Sequence, residues 1–286
     1  MYRCLWFPVI PAAGNGPNPI VTQRPVADPQ PRIYNTRKLM YDYEAYRSSD
    51  HERARTADLV RLLPTGRQSI LDIGARDGFF SRIFAERFPE VTALDLNKPT
   101  FEIPGVITVA GDATRLQFPD ESFDCVFCAE VLEHIPQVEE ACREIIRVAR
   151  HEIIIGVPFR QDTRIGRTTC RKCWRVSPPW GHVNTFNEER LLKLFAGARL
   201  KTRSFAGENR EASNALSAWL LDLAGNPWGT YDQEEPCIHC GAKLEPPGSR
   251  PLWGKVCSAA GVRLNRLQNL FTRPHGNWIH LVFEKQ

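Results

Sequence analysis

Two Cys-x-x-Cys pairs, Cys170/Cys173 and Cys237/Cys240, have a spacing that implies chemistry directly. Two residues between cysteines let both thiolates face one ion, and two such pairs supply the four ligands of a tetrahedral zinc. Four thiolates leave no open position, so the expected site is structural. Gly241 follows the second pair and permits the backbone to turn its N–H groups toward the sulfurs. The 63 residues between Cys173 and Cys237 make the pattern less specific than a simple ribbon, and two unrelated reduced pairs are the alternative. A redox role is disfavoured because neither pair opens a helix after a suitable strand. Cys257, His239 and His182 are reserve ligands, and Cys4 and Cys142 have no evident role. Cys125 and Cys128 share the spacing but lie in an apolar run and read as buried strand residues. The odd total of nine cysteines argues against a fully paired disulfide framework.

A second group of residues could hold a polar ligand. Asp72-Ile73-Gly74-Ala75-Arg76-Asp77-Gly78 reads as a tight turn whose glycines allow close approach and whose N–H groups aim outward. Such a turn favours a carboxylate or phosphate, and nicotinamide enzymes share a similar loop. Asp95 and Asp112 follow two further apolar runs, where one carboxylate can accept ribose hydroxyls and the other an adenine amino group. Glu130-Val131-Leu132-Glu133-His134 and, later, Gly181-His182-Val183-Asn184 bring two histidines within reach of the same ligand. His134 and His182 are the candidate general bases. Each has a bland alternative: His134 and Glu133 as helix-orienting residues, His182 as a structural one. Asp77 reads as a helix N-cap, and Ser177-Pro178-Pro179-Trp180 as a proline turn.

The elements that must position these residues follow from the hydrophobic pattern. From Ser69 onward, short apolar runs alternate with helical stretches, which is the texture of βαβ units on a parallel sheet. Strands are expected at 70–73, 91–96, 106–110, 123–128, 153–157, 199–205 and 278–283. Helices are expected at 38–63, from Phe79 to Phe88, at 139–149, and at 188–196 with Asn187 as N-cap. The expected fold is therefore α/β: a doubly wound, mostly parallel, seven-stranded sheet with insertions after strands five and six. Those insertions, 159–184 and 206–274, each carry one Cys-x-x-Cys pair and are expected to form a cap or zinc module. Residues 1–37 are rich in proline and read as an extended arm, with 38–286 as the main domain.

Several of these motifs occur in the order and at the separations found in one family. Across residues 69–158 the chain resembles the class I, Rossmann-like S-adenosylmethionine-dependent methyltransferases. It is most similar to the small-molecule type with Val-Leu-Glu-His after strand four, the methyltransferase type 11 group. The resemblance implies S-adenosylmethionine as cofactor and a set of residues that hold it. Asp72, Gly74, Ala75 and Gly78 would cradle its methionine part. Asp95 would hold the ribose, with Leu96 packed on the adenine and Asp112 and Ala113 reading its edge. Glu130 and Val131 would line the floor near the sulfonium. Arg76 departs from the pattern, since that family has glycine there. Its side chain is expected to project to solvent.

Composition narrows the class further. A net charge of +4 over 286 residues is too weak to argue for nucleic acid. No apolar run approaches the ~20 residues that span a bilayer, and Met1 to Ile10 makes a poor signal peptide. A cytoplasmic enzyme acting on a small-molecule, sugar or lipid-linked acceptor is the expectation. The alternatives are an RNA methyltransferase, with Arg160, Arg164, Arg167, Arg171, Lys172 and Arg175 on phosphates, and a non-catalytic cofactor-binding protein.

Overall fold

The computed structural model describes residues 47–285. The expected arm at 1–37, Cys4 and the first residues of the expected 38–63 helix lie outside the described residues. Within them, helix α1 runs Asp50–Arg61, with Ser49 accepting from the Glu52 N–H as N-cap. The strands of the sheet are β1 Ser69–Ile73, β2 Glu90–Asp95, β3 Val106–Ala110, β4 Phe123–Ala129 and β5 Ala149–Pro158. Helix α2, Phe79–Ala85, joins β1 to β2, and α3, Val138–Val148, joins β4 to β5. A short hairpin, β6 Thr168–Thr169 and β7 Val176–Ser177, precedes α4, Glu188–Leu194, and β8, Ala198–Ala206. Helices α5, Ala215–Leu223, and α6, Leu252–Asn269, come before the last strand, β9 Trp278–Lys285.

The main sheet has seven strands in the order β3-β2-β1-β4-β5-β9-β8. β1 to β5 are parallel where they pair, and β9 runs antiparallel to both β5 and β8. Side chains alternate between two cores because a strand has a period of two. Leu71, Val126 and Cys128 join a core with Val138, Cys142 and Ile145 of α3. Ile70, Cys125 and Phe127 join another with Leu59 of α1 and Phe84 of α2. Every residue of β1 is buried, as expected for a strand covered on both faces. Edge strand β8 instead alternates between exposed and half-buried residues along most of its length.

Element boundaries shift by a few residues from those read in the sequence. The helix expected to reach Ala149 stops at Val148, because Ala149 is already extended and pairs with Phe123 at the start of β5. Asn187 caps α4 as expected, accepting from the Arg190 N–H. Cys125, Cys128 and Cys142 are all fully buried, the first two as strand residues of the sheet interior.

Phe127 links β4 to α2 through Phe80 and Phe84, with ring centroids 4.8 and 4.9 Å away. Truncation of a large buried aromatic costs about 3–5 kcal/mol. Phe127→Ala should lower the folding free energy by that amount in urea unfolding. A loss below ~1 kcal/mol would show that this aromatic stack does not anchor the sheet.

Candidate functional site

The carboxyl ends of β1 and β4 open into a cavity of about 440 Å³. Its lining includes Asp72, Gly74 and Ala75 from the turn after β1, and Ala129 and Glu130 from the end of β4. Glu52 and Arg55 of α1 and Trp278 of β9 face it as well. The stretches 159–184 and 206–274 contribute Gln161, Trp180 and His182 from one and Gln233, Glu234 and Glu235 from the other. Of the residues singled out from sequence, Asp72, Gly74, Ala75, Glu130, His134 and His182 border this cavity. Gly78, Asp95, Leu96, Asp112, Ala113 and Val131 are not among its lining residues.

The turn after β1 is stitched to β2. Gly74 and Ala75 donate their N–H groups to Leu94 O, and Gly78 donates to Ala75 O. The Arg76 N–H donates to Asp95 Oδ2 at 2.9 Å. These N–H groups are therefore engaged within the chain rather than aimed outward, contrary to the expectation for the loop. The cause is the positive φ of Gly74, Arg76 and Gly78, which curls the backbone onto the neighbouring strand end. A side chain at Gly74 would meet Val131 Cγ2 at 2.3 Å, and one at Gly78 would meet the Phe101 ring at 2.8 Å. Both glycines are thus required by packing as well as by conformation.

Arg76 adopts φ 50°, a left-handed conformation that suits glycine. Its side chain is 53% exposed, as expected for one that projects to solvent, and its guanidinium is also ion-paired at the surface. It pairs with Glu234 at 2.6 Å and lies 3.8 Å from Glu235. The long side chain lets the turn reach carboxylates more than 150 residues away, which no local rule reveals. Asp77 does not cap α2 either: Gly78 holds the cap position, and Asp77 pairs with Arg47, whose guanidinium lies over Phe79.

Asp95 ends β2, and Leu96 beside it is 72% exposed, an apolar side chain at a strand end with nothing packed over most of it. Asp112 Oδ1 accepts from both the N–H and the hydroxyl of Thr114, each at 2.8 Å. Ala113 and Val131 pack with the core that holds α3.

After β4, Glu130 has φ 57° and accepts from Trp278 Nε1 at 3.2 Å. Its second oxygen is buried without a hydrogen-bond partner, and so are both oxygens of Glu133. Burial pushes both carboxyls above the usual carboxylate range, and each raises the other or is raised by its acidic neighbours. His134 and His182 meet edge to face with ring centroids 4.7 Å apart. Burial holds His134 down to about 4, helped by Arg76, and His182 down to about 3, helped by His134. Both rings are neutral near pH 7. Gln161 Oε1 accepts from His182 Nδ1 at 2.6 Å, which leaves Nε2 as that ring's lone-pair donor.

Two backbone bonds fix these histidines relative to one another. The N–H groups of Val183 and Asn184 both donate to the Glu133 carbonyl, at 2.9 and 3.0 Å. The Asn184 amide also donates to Leu132 O and Ile135 O. Sequence inspection marks His134 and His182 separately. It does not show that their loops are clamped together, or that Glu52, Arg55 and Trp278 share their cavity.

The four paired cysteines converge. Cys170 and Cys240 sulfurs are 3.7 Å apart, Cys173 and Cys237 3.6 Å, and all four lie within 4.8 Å of one another. The two knuckles have the same geometry. Trp174 and Gly241 follow the second cysteine of each pair, both have positive φ, and both donate to the carbonyl of the first cysteine at 2.9 Å. Cys170 and Cys237 in turn donate to Arg175 O and Ala242 O. Burial raises the Cys237 thiol, but the N–H groups of His239 and Cys240 and the Ser177 hydroxyl outweigh it, bringing the thiol down to about 6. Cys173 moves the other way: the Arg175 N–H lowers it, but desolvation and the three neighbouring thiols push it up to about 12. The reserve ligands take no part. His239 Nε2 bonds to Val176 O, Cys257 lies on α6, and His182 belongs to the cavity.

Residues 71–155 match the family model described as a methyltransferase domain. A biotin biosynthesis bifunctional protein, BioHC, of Cellvibrio japonicus is 33% identical over 144 residues, covering 47% of this chain and 28% of that protein. A demethylmenaquinone methyltransferase of Renibacterium salmoninarum is 32% identical over 103 residues, covering 34% and 43%. The chain therefore spans less than half the length of these two curated relatives. A solved structure assigned as a methyltransferase of Bacillus halodurans C-125 superposes with a TM-score of 0.50 at 16% identity, covering 80% of this chain and 97% of that one. That likeness is one of fold. Residues 71–155 are thus a methyltransferase domain, on a sheet that has the class I methyltransferase order.

Asp72 gives this site a pH signature. It is 2% exposed and accepts from Ser81 Oγ at 2.5 Å, and burial raises its carboxyl to about 7 from an ordinary value of 3.8. The folded chain then holds this proton more tightly than the unfolded chain does. Stability should fall as pH rises from about 4 to about 7 and level off above. Asp72→Asn should flatten that slope in pH-dependent urea unfolding. A slope identical in both proteins would place the titration elsewhere.

Proposed function

We propose that this chain, a class I methyltransferase by its domain and its sheet, transfers a methyl group from S-adenosylmethionine to a small-molecule, sugar or lipid-linked acceptor. The observation that carries this reading is one cavity bordered by Asp72, Gly74 and Ala75 together with Glu130, His134 and His182. When bound, the cofactor supplies an activated methyl group on a sulfonium. The residues present fit it: a carboxylate at the end of β2 for ribose hydroxyls, the open apolar face of Leu96 for the adenine, and Asp112 and Ala113 after β3 for its edge. Asp72, Gly74, Ala75 and Gly78 would bound the methionine part, with Glu130 and Val131 below the sulfonium.

Such a transfer is an in-line displacement, so positioning can provide much of the acceleration. His134 and His182 offer neutral lone pairs at the acceptor end, where a hydroxyl would have to lose its proton. Residues 159–184 and 206–274 act as a cap that excludes water, with Arg76 and Glu234 closing it over the turn after β1. The main domain is 38–286 and its compartment is the cytoplasm. Among the described residues no helix is long and apolar enough to cross a membrane.

Three of the six basic residues that RNA would need in the first insertion are already ion-paired. Arg164 pairs with Asp162, Arg167 with Asp222 and Arg171 with Glu245, and Arg160 lies over Phe159. Internal neutralisation of this kind favours the small acceptor over RNA.

The thiol cluster is proposed to hold one structural zinc through Cys170, Cys173, Cys237 and Cys240. A zinc–sulfur bond of about 2.3 Å in a tetrahedron sets sulfurs roughly 3.8 Å apart, close to the separations of 3.6 and 3.7 Å. Elemental analysis of protein purified without chelator should find about one zinc per chain. A metal-free, fully folded protein would remove the zinc from the reading.

Calorimetry with S-adenosylhomocysteine tests the cofactor. The wild-type protein should bind it, and Asp95→Ala should cost about 1.5–3 kcal/mol, the range for losing hydrogen bonds to a charged group. Absence of binding by the wild-type protein would overturn the proposed function, and unchanged affinity in the variant would remove Asp95 from the site.

A further inference from the structure

Outside the thiol cluster, one more group of side chains can ligate a metal. A carboxylate oxygen of Glu133 and a ring nitrogen each of His134 and His182 lie within 4.8 Å of one another. Glu133 is fully buried, and neither of its carboxylate oxygens has a hydrogen-bond partner. A buried carboxylate with nothing bound to either oxygen is costly, and the cost is relieved by a proton, a cation or a set of donors. The Arg55 guanidinium of the same cavity acts on Glu133 electrostatically, but no donor bonds either Glu133 oxygen. The two histidines present neutral nitrogens, Gln161 Oε1 already accepts from His182 Nδ1, and Glu130 keeps a buried oxygen without a partner on the same wall.

We infer that Glu133, His134 and His182 form a divalent-cation site at the acceptor end of the cavity. Two imidazoles and one carboxylate are a common protein set for a divalent ion with open positions. Three protein ligands leave room for a water or a substrate oxygen, the difference between a catalytic metal site and the closed four-thiolate cluster. Metal–ligand bonds of about 2.1 Å would draw the three donor atoms to roughly 3.4 Å from one another, a modest closure from their present separations. The clamp that makes this set rigid is the pair of N–H groups from Val183 and Asn184 on the Glu133 carbonyl. Gln161 orients the His182 ring from behind, as outer partners of metal-bound histidines do.

The inference rests on the proposed methyl transfer and deepens it. A cation here would bind the acceptor through an oxygen, lower the pKa of a coordinated hydroxyl and hold it toward the methyl donor. The acceptor class is then a hydroxyl compound with a second oxygen able to chelate, such as a catechol, a vicinal diol or a hydroxy acid. His134 and His182 would then act through the ion, as its ligands, instead of as the general bases proposed above; the ion would make the coordinated hydroxyl more acidic and its proton would pass to water.

The experiment is a Mn²⁺ titration of zinc-replete, full-length protein, with free Mn²⁺ read by electron paramagnetic resonance. Mn²⁺ prefers carboxylate and imidazole to thiolate, so it does not report on the cysteine cluster. The wild-type protein should bind one Mn²⁺ per chain. Glu133→Gln and His182→Gln should each weaken binding at least tenfold while zinc content and thermal midpoint hold. Mn²⁺ binding that is absent in the wild-type protein, or equal in both folded variants, overturns the site. S-adenosylhomocysteine binding is measured on the same samples. Cofactor binding without Mn²⁺ sinks the cation site and leaves the methyltransferase reading standing, whereas Mn²⁺ binding without cofactor does the reverse.

Discussion

The convergence of four cysteine sulfurs is the constraint on which the upper half of this molecule depends. The stretches 159–184 and 206–274 have almost no apolar core of their own where they meet. Cys170, Cys237 and Leu244 are its only fully buried members among the described residues. A core that small cannot hold loops of this length against their conformational entropy. The two equivalent knuckles meet at the thiols instead, and a knuckle that needs positive φ tolerates even Trp174, 78% exposed, in that conformation. Trp180, Gln233, Glu234 and Glu235, carried by the same two segments, reach the cavity, and the Trp180 N–H donates to Gln233 Oε1 across them.

Below the cluster, the parallel sheet sets the second constraint. Parallel strands deliver their carboxyl ends to one edge, so the turn after β1 and the segment after β4 face the same space whatever their separation in the chain. Arg76 joins the two levels. A glycine there would relieve the backbone, and the arginine accepts that strain while its guanidinium spans from the turn to Glu234. The cavity thus has a polar, ion-paired rim and a wall that carries Glu130 and two neutral imidazoles, with the Glu133 carboxyl buried beside the imidazoles. Walls of that composition are uncommon in a plain protein interior, where buried polar groups are paired, and they concentrate where ligands bind.

The sequence by itself determined the sheet. Runs such as Ile70-Leu71-Asp72-Ile73 and Phe123 to Cys128 are apolar on both faces, and only a strand covered on both sides has that demand, so their identity and order are local facts. The glycines of the turn were equally legible, because positive φ is written into residue type at Gly74 and Gly78. The cysteine pairs were legible as pairs for the same reason of short spacing. Tertiary structure alone decided the rest. That the pairs face one point, that the exposed Arg76 pairs with Glu234, and that Asp77 binds Arg47 instead of capping α2 are contacts between segments distant in the chain. The fate of the loop N–H groups was decided by the neighbouring strand end, which lies one crossover away. Above all, the Glu133 carbonyl takes two N–H groups from a loop some fifty residues later, and this alone turns two separate histidines into one site. Periodicity and spacing report what a residue needs from its own backbone. They carry no record of which remote segment will supply its partner, because that choice is made by packing the whole chain at once.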